Sequence, residues 1–128
     1  MYYRATFISA LSVLILAMAP SANSAEQELL SRIPAEFQGR WVMKMDQCEA
    51  PTEGWLDISA QKLNFSGGNA NVVSAHRIGD LELEVDMNVQ AKSREGWRQV
   101  RRYTLSQDMR MLTETRSPGA NIVRVRCN

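Results

Sequence analysis

Arg101 and Tyr103 stand two residues apart in the segment Trp97-Arg98-Gln99-Val100-Arg101-Arg102-Tyr103-Thr104-Leu105. Residues two apart on a strand project from the same face, so the phase that turns Trp97, Tyr103 and Leu105 into a core turns Gln99 and Arg101 with them. A guanidinium beside a phenol in such an interior is the group best able to hold a carboxylate by two hydrogen bonds. A β-bulge near Val100 to Arg102 would instead leave Arg101 and Arg102 both outside. Glu82, Glu84 and Asp86 form a second periodic set. Alternation points these three carboxylates the same way, where they could gather a hard cation or act as an acid and a base. They also fill the wet face of the most regular strand pattern in the chain, and the next strand brings Arg98, Arg101 and Arg102 opposite them. Cross-strand ion pairing is therefore their expected role.

Other chemistry is thinly supplied. His76 is the single imidazole, and its segment has no cysteine or paired carboxylate at metal-ligand spacing, so it reads as a surface or packing residue. Two cysteines are too few for a cysteine-rich zinc site or an iron-sulfur cluster. No metal and no cofactor is expected. No serine sits in a Gly-x-Ser-x-Gly elbow, and Gly67-Gly68 is followed by neither a Lys-Ser pair nor a helix start, so it is a turn and not a phosphate loop. Asn64-Phe65-Ser66 matches a glycosylation triplet but lies inside an expected strand.

The elements that must position these residues are strands. Eight are expected: Arg40 to Met45, Trp55 to Ser59, Lys62 to Ser66, Asn71 to Ile78, Leu81 to Val89, Trp97 to Leu105, Met111 to Arg116 and Ile122 to Cys127. A short helix is expected over Glu26 to Ile33, stopped by Pro34. The links are short and rich in Gly, Asn, Asp and Pro, which favours antiparallel neighbours in an up-and-down meander. The expected core and end-closing residues include Trp41, Trp55, Phe65, Leu83, Met87, Leu112, Val123 and Val125.

Residues 1–25 read as a secretory signal peptide: Arg4 supplies a positive charge, Ala5 to Ala19 are almost wholly apolar, and Pro20 to Ala25 present small residues before Glu26. The apolar run is too short to span a bilayer, and no cysteine at its boundary could accept a lipid. A periplasmic or secreted location follows, with no membrane span in the mature chain. Formal charge is +1 over all 128 residues, which gives no bulk attraction to nucleic acid. The balance hides a polarity: residues 26–90 carry 5 basic and 11 acidic groups, and residues 91–128 carry 9 basic and 3 acidic. Acidic and basic strands side by side in one sheet account for it. An exported chain with two cysteines should oxidise them, and a Cys48 to Cys127 bond requires the first and last strands of the meander to be neighbours at one end. A closed barrel provides that neighbourhood.

Phe37-Gln38-Gly39-Arg40-Trp41 places a glycine two residues before a tryptophan at the start of the first strand. This resembles the Gly-x-Trp entry of lipocalin-like (calycin) barrels. The resemblance implies a single lipocalin-like β-barrel domain over residues 26–128, in which Trp41 closes one end and a late arginine, Arg124 or Arg126, packs across it. The run Ile33 to Trp41, with Cys48 after it and a cysteine near the C-terminus, is also similar to small exported bacterial proteins of unknown function. The pairing of Arg101 with Tyr103 resembles the carboxylate anchor of intracellular fatty-acid carriers.

The leading functional expectation is a non-enzymatic periplasmic binding or accessory protein, such as a hydrolase inhibitor or an envelope-associated module. It would meet an envelope protein partner through loops at Asp46 to Gly54 and Gln90 to Gly96, where Glu49, Glu53, Lys92, Arg94 and Arg98 offer charge. The alternative is a carrier of a small apolar, amphipathic or anionic ligand inside the barrel, with Arg101 and Tyr103 as anchor and Trp41 at the closed end. No enzyme is expected, since no catalytic set is assembled; a carboxylate-based hydrolase could be built only on Glu82, Glu84 and Asp86.

Overall fold

The computed structural model describes residues 28–116 and 119–128. The expected signal peptide lies outside the described residues, as does the start of the expected helix. From Glu28 onward the chain pairs as a short strand, and its first helical turn is the 3-10 segment Ala35–Phe37.

The strands are β1 (Glu28–Leu30), β2 (Gly39–Val42), β3 (Leu56–Ile58), β4 (Lys62–Phe65), β5 (Gly68–Gly79), β6 (Glu82–Ala91), β7 (Arg94–Leu105), β8 (Met111–Thr115) and β9 (Ile122–Arg126). Strands β2 to β9 are the eight expected ones, and they close into an antiparallel barrel. Each pairs with the next in the chain, and β2 pairs with β9 through Trp41↔Arg126 and Val42↔Val125. Strand β1 lies outside this ring, paired to Ala75–Arg77 of β5 where β4 has already ended.

Strand β5 can serve β1, β4 and β6 because its register with β6 shifts between Val72 and Ser74 and again between Arg77 and Gly79. Each extra residue bends the strand and increases its twist, which curls a sheet of long strands into a narrow ring. At Gly68 the turn from β4 brings the backbone of β5 hard against β6. A Cβ there would lie 2.2 Å from the Gln90 carbonyl oxygen, so only glycine fits.

Strand β6 alternates as its sequence requires: Leu83, Val85, Met87 and Val89 are buried inside, with the acidic residues outside. Its partner β7 keeps continuous register from Glu82↔Thr104 to Val89↔Trp97. There is no bulge at Val100 to Arg102, so Gln99, Arg101, Tyr103 and Leu105 all face inward. The outer face carries the expected ion-pair ladder from Arg98 and Arg102, but Arg101 is not part of it. Asp86 and Arg98 share two hydrogen bonds of 2.8 Å, and Arg102 lies 3.5 Å from both Glu82 and Glu84.

One end of the barrel is shut. Phe37 and Trp41 are fully buried there, the Trp41 indole N–H donates to the Phe37 carbonyl at 2.9 Å, and the Arg126 guanidinium stacks 4.2 Å over the indole ring. Arg126 also donates to the carbonyls of Glu36 and Gln38. Of the two candidate arginines, Arg126 is the one across Trp41. Gly39 adopts φ +123°, a conformation that L side chains rarely take, while a Cβ there would only touch the Arg126 guanidinium at 3.4 Å. The glycine of the Gly-x-Trp pattern is thus called for by its backbone conformation.

Strand β9 departs from the sequence expectation. Val123 is 43% exposed and Val125 is half-buried, whereas Arg124 is buried. Register decides this, because Arg124 stands opposite inward-facing Leu112 and Arg126 opposite inward-facing Trp41. Cys48 and Cys127 form a disulfide with a Cα separation of 5.6 Å, tying the loop after β2 to the end of β9. Among the described residues, no helix is long and apolar enough to cross a membrane.

Candidate functional site

The barrel end away from Trp41 holds a cavity of about 150 Å³. Its two walls differ in chemistry. One is built by Trp55, just before β3, and by Leu56, Leu63, Phe65, Met87 and Val89 from β3, β4 and β6. The other is built by Gln99, Arg101, Tyr103, Glu114 and Arg124, from β7, β8 and β9, and by Arg116 just past the end of β8.

The polar wall is centred on Glu114, whose side chain is 5% exposed. Its Oε1 accepts a 3.2 Å hydrogen bond from the Tyr103 hydroxyl, and its Oε2 accepts one of 2.9 Å from Arg116 Nε. The same Oε2 lies 3.1 Å from Arg101 Nη1 and 3.8 Å from Arg124 Nη1. Neither of those approaches has the geometry of a hydrogen bond. Both Nη1 atoms are shielded from solvent and have no hydrogen-bond acceptor among the described residues. One carboxylate therefore faces three guanidiniums. Arg116 is 44% exposed at the side chain and screened by water, but Arg101 and Arg124 are 17% and 5% exposed.

Supporting bonds hold the cluster in place. Arg124 Nε donates to the Gly54 carbonyl at 2.6 Å, and Arg101 Nη2 donates to Gln99 Oε1 at 3.0 Å. Burial lowers the Arg124 pKa against the opposing attraction of Glu114. Burial, and then the negative charge of Glu114, raises the Tyr103 pKa far above that of a free phenol, so Tyr103 remains a neutral donor. Electrostatically the wall carries more positive than negative charge, and part of its donor capacity is unused.

Arg101 and Tyr103, the residues singled out from the sequence, are together in this wall. Trp41 is not with them; it is sealed at the opposite end. Glu114, Arg116 and Arg124 were not anticipated as site residues. The signal for the first two lay in Met111-Leu112-Thr113-Glu114-Thr115-Arg116, where a buried Leu112 takes Glu114 and Arg116 inward with the period of the strand. Gln90 to Gly96 is not a loop: β6 and β7 run through it to a two-residue turn at Lys92-Ser93. Arg98 is engaged by Asp86. No Ser-x-x-Lys arrangement was expected, yet Ser59 and Lys62 have that spacing; the Ser59 hydroxyl donates to the Lys62 carbonyl at 2.9 Å within the β3–β4 turn. No protein family, curated protein or solved structure matches the chain.

Proposed function

We propose that the protein is an exported, non-enzymatic binding protein that holds a small anionic ligand in the open end of a lipocalin-like barrel. One observation carries this reading: Arg124 is buried and Arg101 partly buried in the cavity wall, and each keeps a solvent-shielded Nη1 donor without an acceptor while Glu114 is shared among three guanidiniums. Buried donors left unmatched cost stability, so a site that retains them suits an acceptor arriving from outside. The lipocalin-like assignment is supported by the closed barrel, by the Gly39-x-Trp41 entry and by Arg126 across Trp41. Export is supported by the disulfide and the leader-like residues 1–25.

Of the two expectations drawn from the sequence, we favour the carrier over the accessory protein because the unmatched donors line the cavity, whereas Lys92 to Arg98 is a tight hairpin with Arg98 engaged and Asp46 to Gly54 alone remains an exposed loop. Titration with acetate, inorganic phosphate and citrate, followed through the arginine side-chain resonances, tests the reading. Saturable shifts at Arg101 and Arg124 are expected. An absence of shifts with every anion, together with recovery of a stoichiometric protein from envelope extract, would replace it with the accessory-protein reading.

A further inference from the structure

The site's shape and charge say more about the ligand. Resting on the anion-binding reading above, we infer that the ligand is a compact monocarboxylate, with its carboxylate on Arg101 and Arg124 and a ring or short branched body against the apolar wall.

Charge sets the head group. Arg101 and Arg124 against Glu114 leave one buried positive charge, since Arg116 is half in water. A monoanion neutralises it, whereas a dianion would carry a surplus negative charge into a site already holding Glu114. A planar carboxylate also matches the paired donors of a guanidinium edge.

Volume sets the body. The cavity of about 150 Å³ is well below the roughly 300 Å³ at which drug-sized pockets begin. It equals the roughly 150 Å³ of a dry cavity able to hold benzene. One six-membered ring fits, and a long acyl chain does not. The apolar wall, from Leu56 and Leu63 across to Met87 and Val89, faces the polar one, so head and body each have a matching surface. Trp55 and Phe65 flank the same space and would stack on a flat body.

The test titrates the purified, oxidised protein with benzoate, cyclohexanecarboxylate, acetate, inorganic phosphate, benzamide and palmitate, followed by side-chain resonances and tryptophan fluorescence. One or both ring carboxylates should bind at least about tenfold more tightly than acetate or phosphate, given roughly 25 cal/mol per Å² of apolar surface buried. Benzamide, the same shape without the charge, should bind at least about tenfold more weakly, and palmitate should not displace benzoate. Acetate or phosphate matching both ring carboxylates, or palmitate displacing them, overturns the compact-carboxylate inference and leaves the anion-binding reading standing. Benzamide matching benzoate overturns both, as does no response to any anion. Arg101→Gln adds a check that leaves Arg124 and its bond to Gly54 in place: benzoate affinity should fall at least about tenfold, and unchanged affinity counts against the seat assigned to the carboxylate.

Discussion

Tyr103 and Glu114 are direct cross-strand neighbours of β7 and β8, and the phenol donates to the carboxylate inside the barrel. Tyr103 is the sole tyrosine among the described residues, and burial and the Glu114 charge raise its pKa in the fold. The unfolded phenol ionises near pH 10. Below that pH both states are neutral and the contribution of Tyr103 is fully present. Above it the unfolded chain loses a proton that the folded chain keeps, so stability falls as pH rises. Denaturant melts from pH 8 to 11.5 should show this alkaline loss, and Tyr103→Phe should weaken it. The same substitution should cost about 1–3 kcal/mol at pH 7, because Glu114 loses a donor.

Substitutions of opposite sign are expected around Glu114. Glu114→Gln leaves Arg101 and Arg124 buried without their carboxylate and should destabilise by about 3–5 kcal/mol. Arg101→Met removes the surplus buried guanidinium and should stabilise the unliganded protein by about 1 kcal/mol while weakening anion binding. Urea melts with and without benzoate measure both. A loss of stability in Arg101→Met would mean that its pairing with Glu114 outweighs the desolvation of its charge.

On the outer face, Asp86→Asn and Arg102→Met should each cost only about 0.2–1 kcal/mol, and 1 M salt should erase most of the difference. The hydrogen bond from Arg98 is the main reason that the Asp86 carboxyl sits below its usual range. Its contribution is present above the unfolded aspartate pKa of about 3.9 and is lost as pH falls through the lower folded value. Acid melts of Asp86→Asn against the unsubstituted chain, between pH 2 and 5, check the window.

Cys48 and Cys127 close a loop across 79 positions, which on the chain-entropy model contributes roughly 4 kcal/mol. Thiol titration of the unfolded, unreduced protein should find no free thiol. The Cys48→Ala/Cys127→Ala double variant should lose about that much stability in a urea melt.

The strands were legible because apolar and polar residues alternate along them, most clearly from Leu81 to Val89, and because glycine, asparagine and aspartate mark the turns. Ring closure was legible through Cys48 and Cys127, since a covalent bond between distant residues constrains which strands meet. The inward face of β7 was legible from Trp97, Tyr103 and Leu105, and it carried Arg101 into the candidate site. Strand β1 was not: Glu28 to Leu30 pair only because the bend in β5 leaves an unpaired edge at Ala75 to Arg77.

Strand β9 marks the boundary between what the residues determine and what the tertiary structure decides. Ile122-Val123-Arg124-Val125-Arg126 is amphipathic in either phase, and valines inside is the cheaper choice for an isolated strand. Pairing with β8 and β2 reverses it. Leu112 and Trp41 face the interior and hold their partners Arg124 and Arg126 on that side, where Glu114 and the Gly54 carbonyl meet one arginine and the Trp41 ring the other. Sequence alone determined the period of two, because side-chain direction along a strand is local. Which face is the interior, and hence which arginines form the site, depends on register with strands far away in the chain, and only the closed barrel settles it.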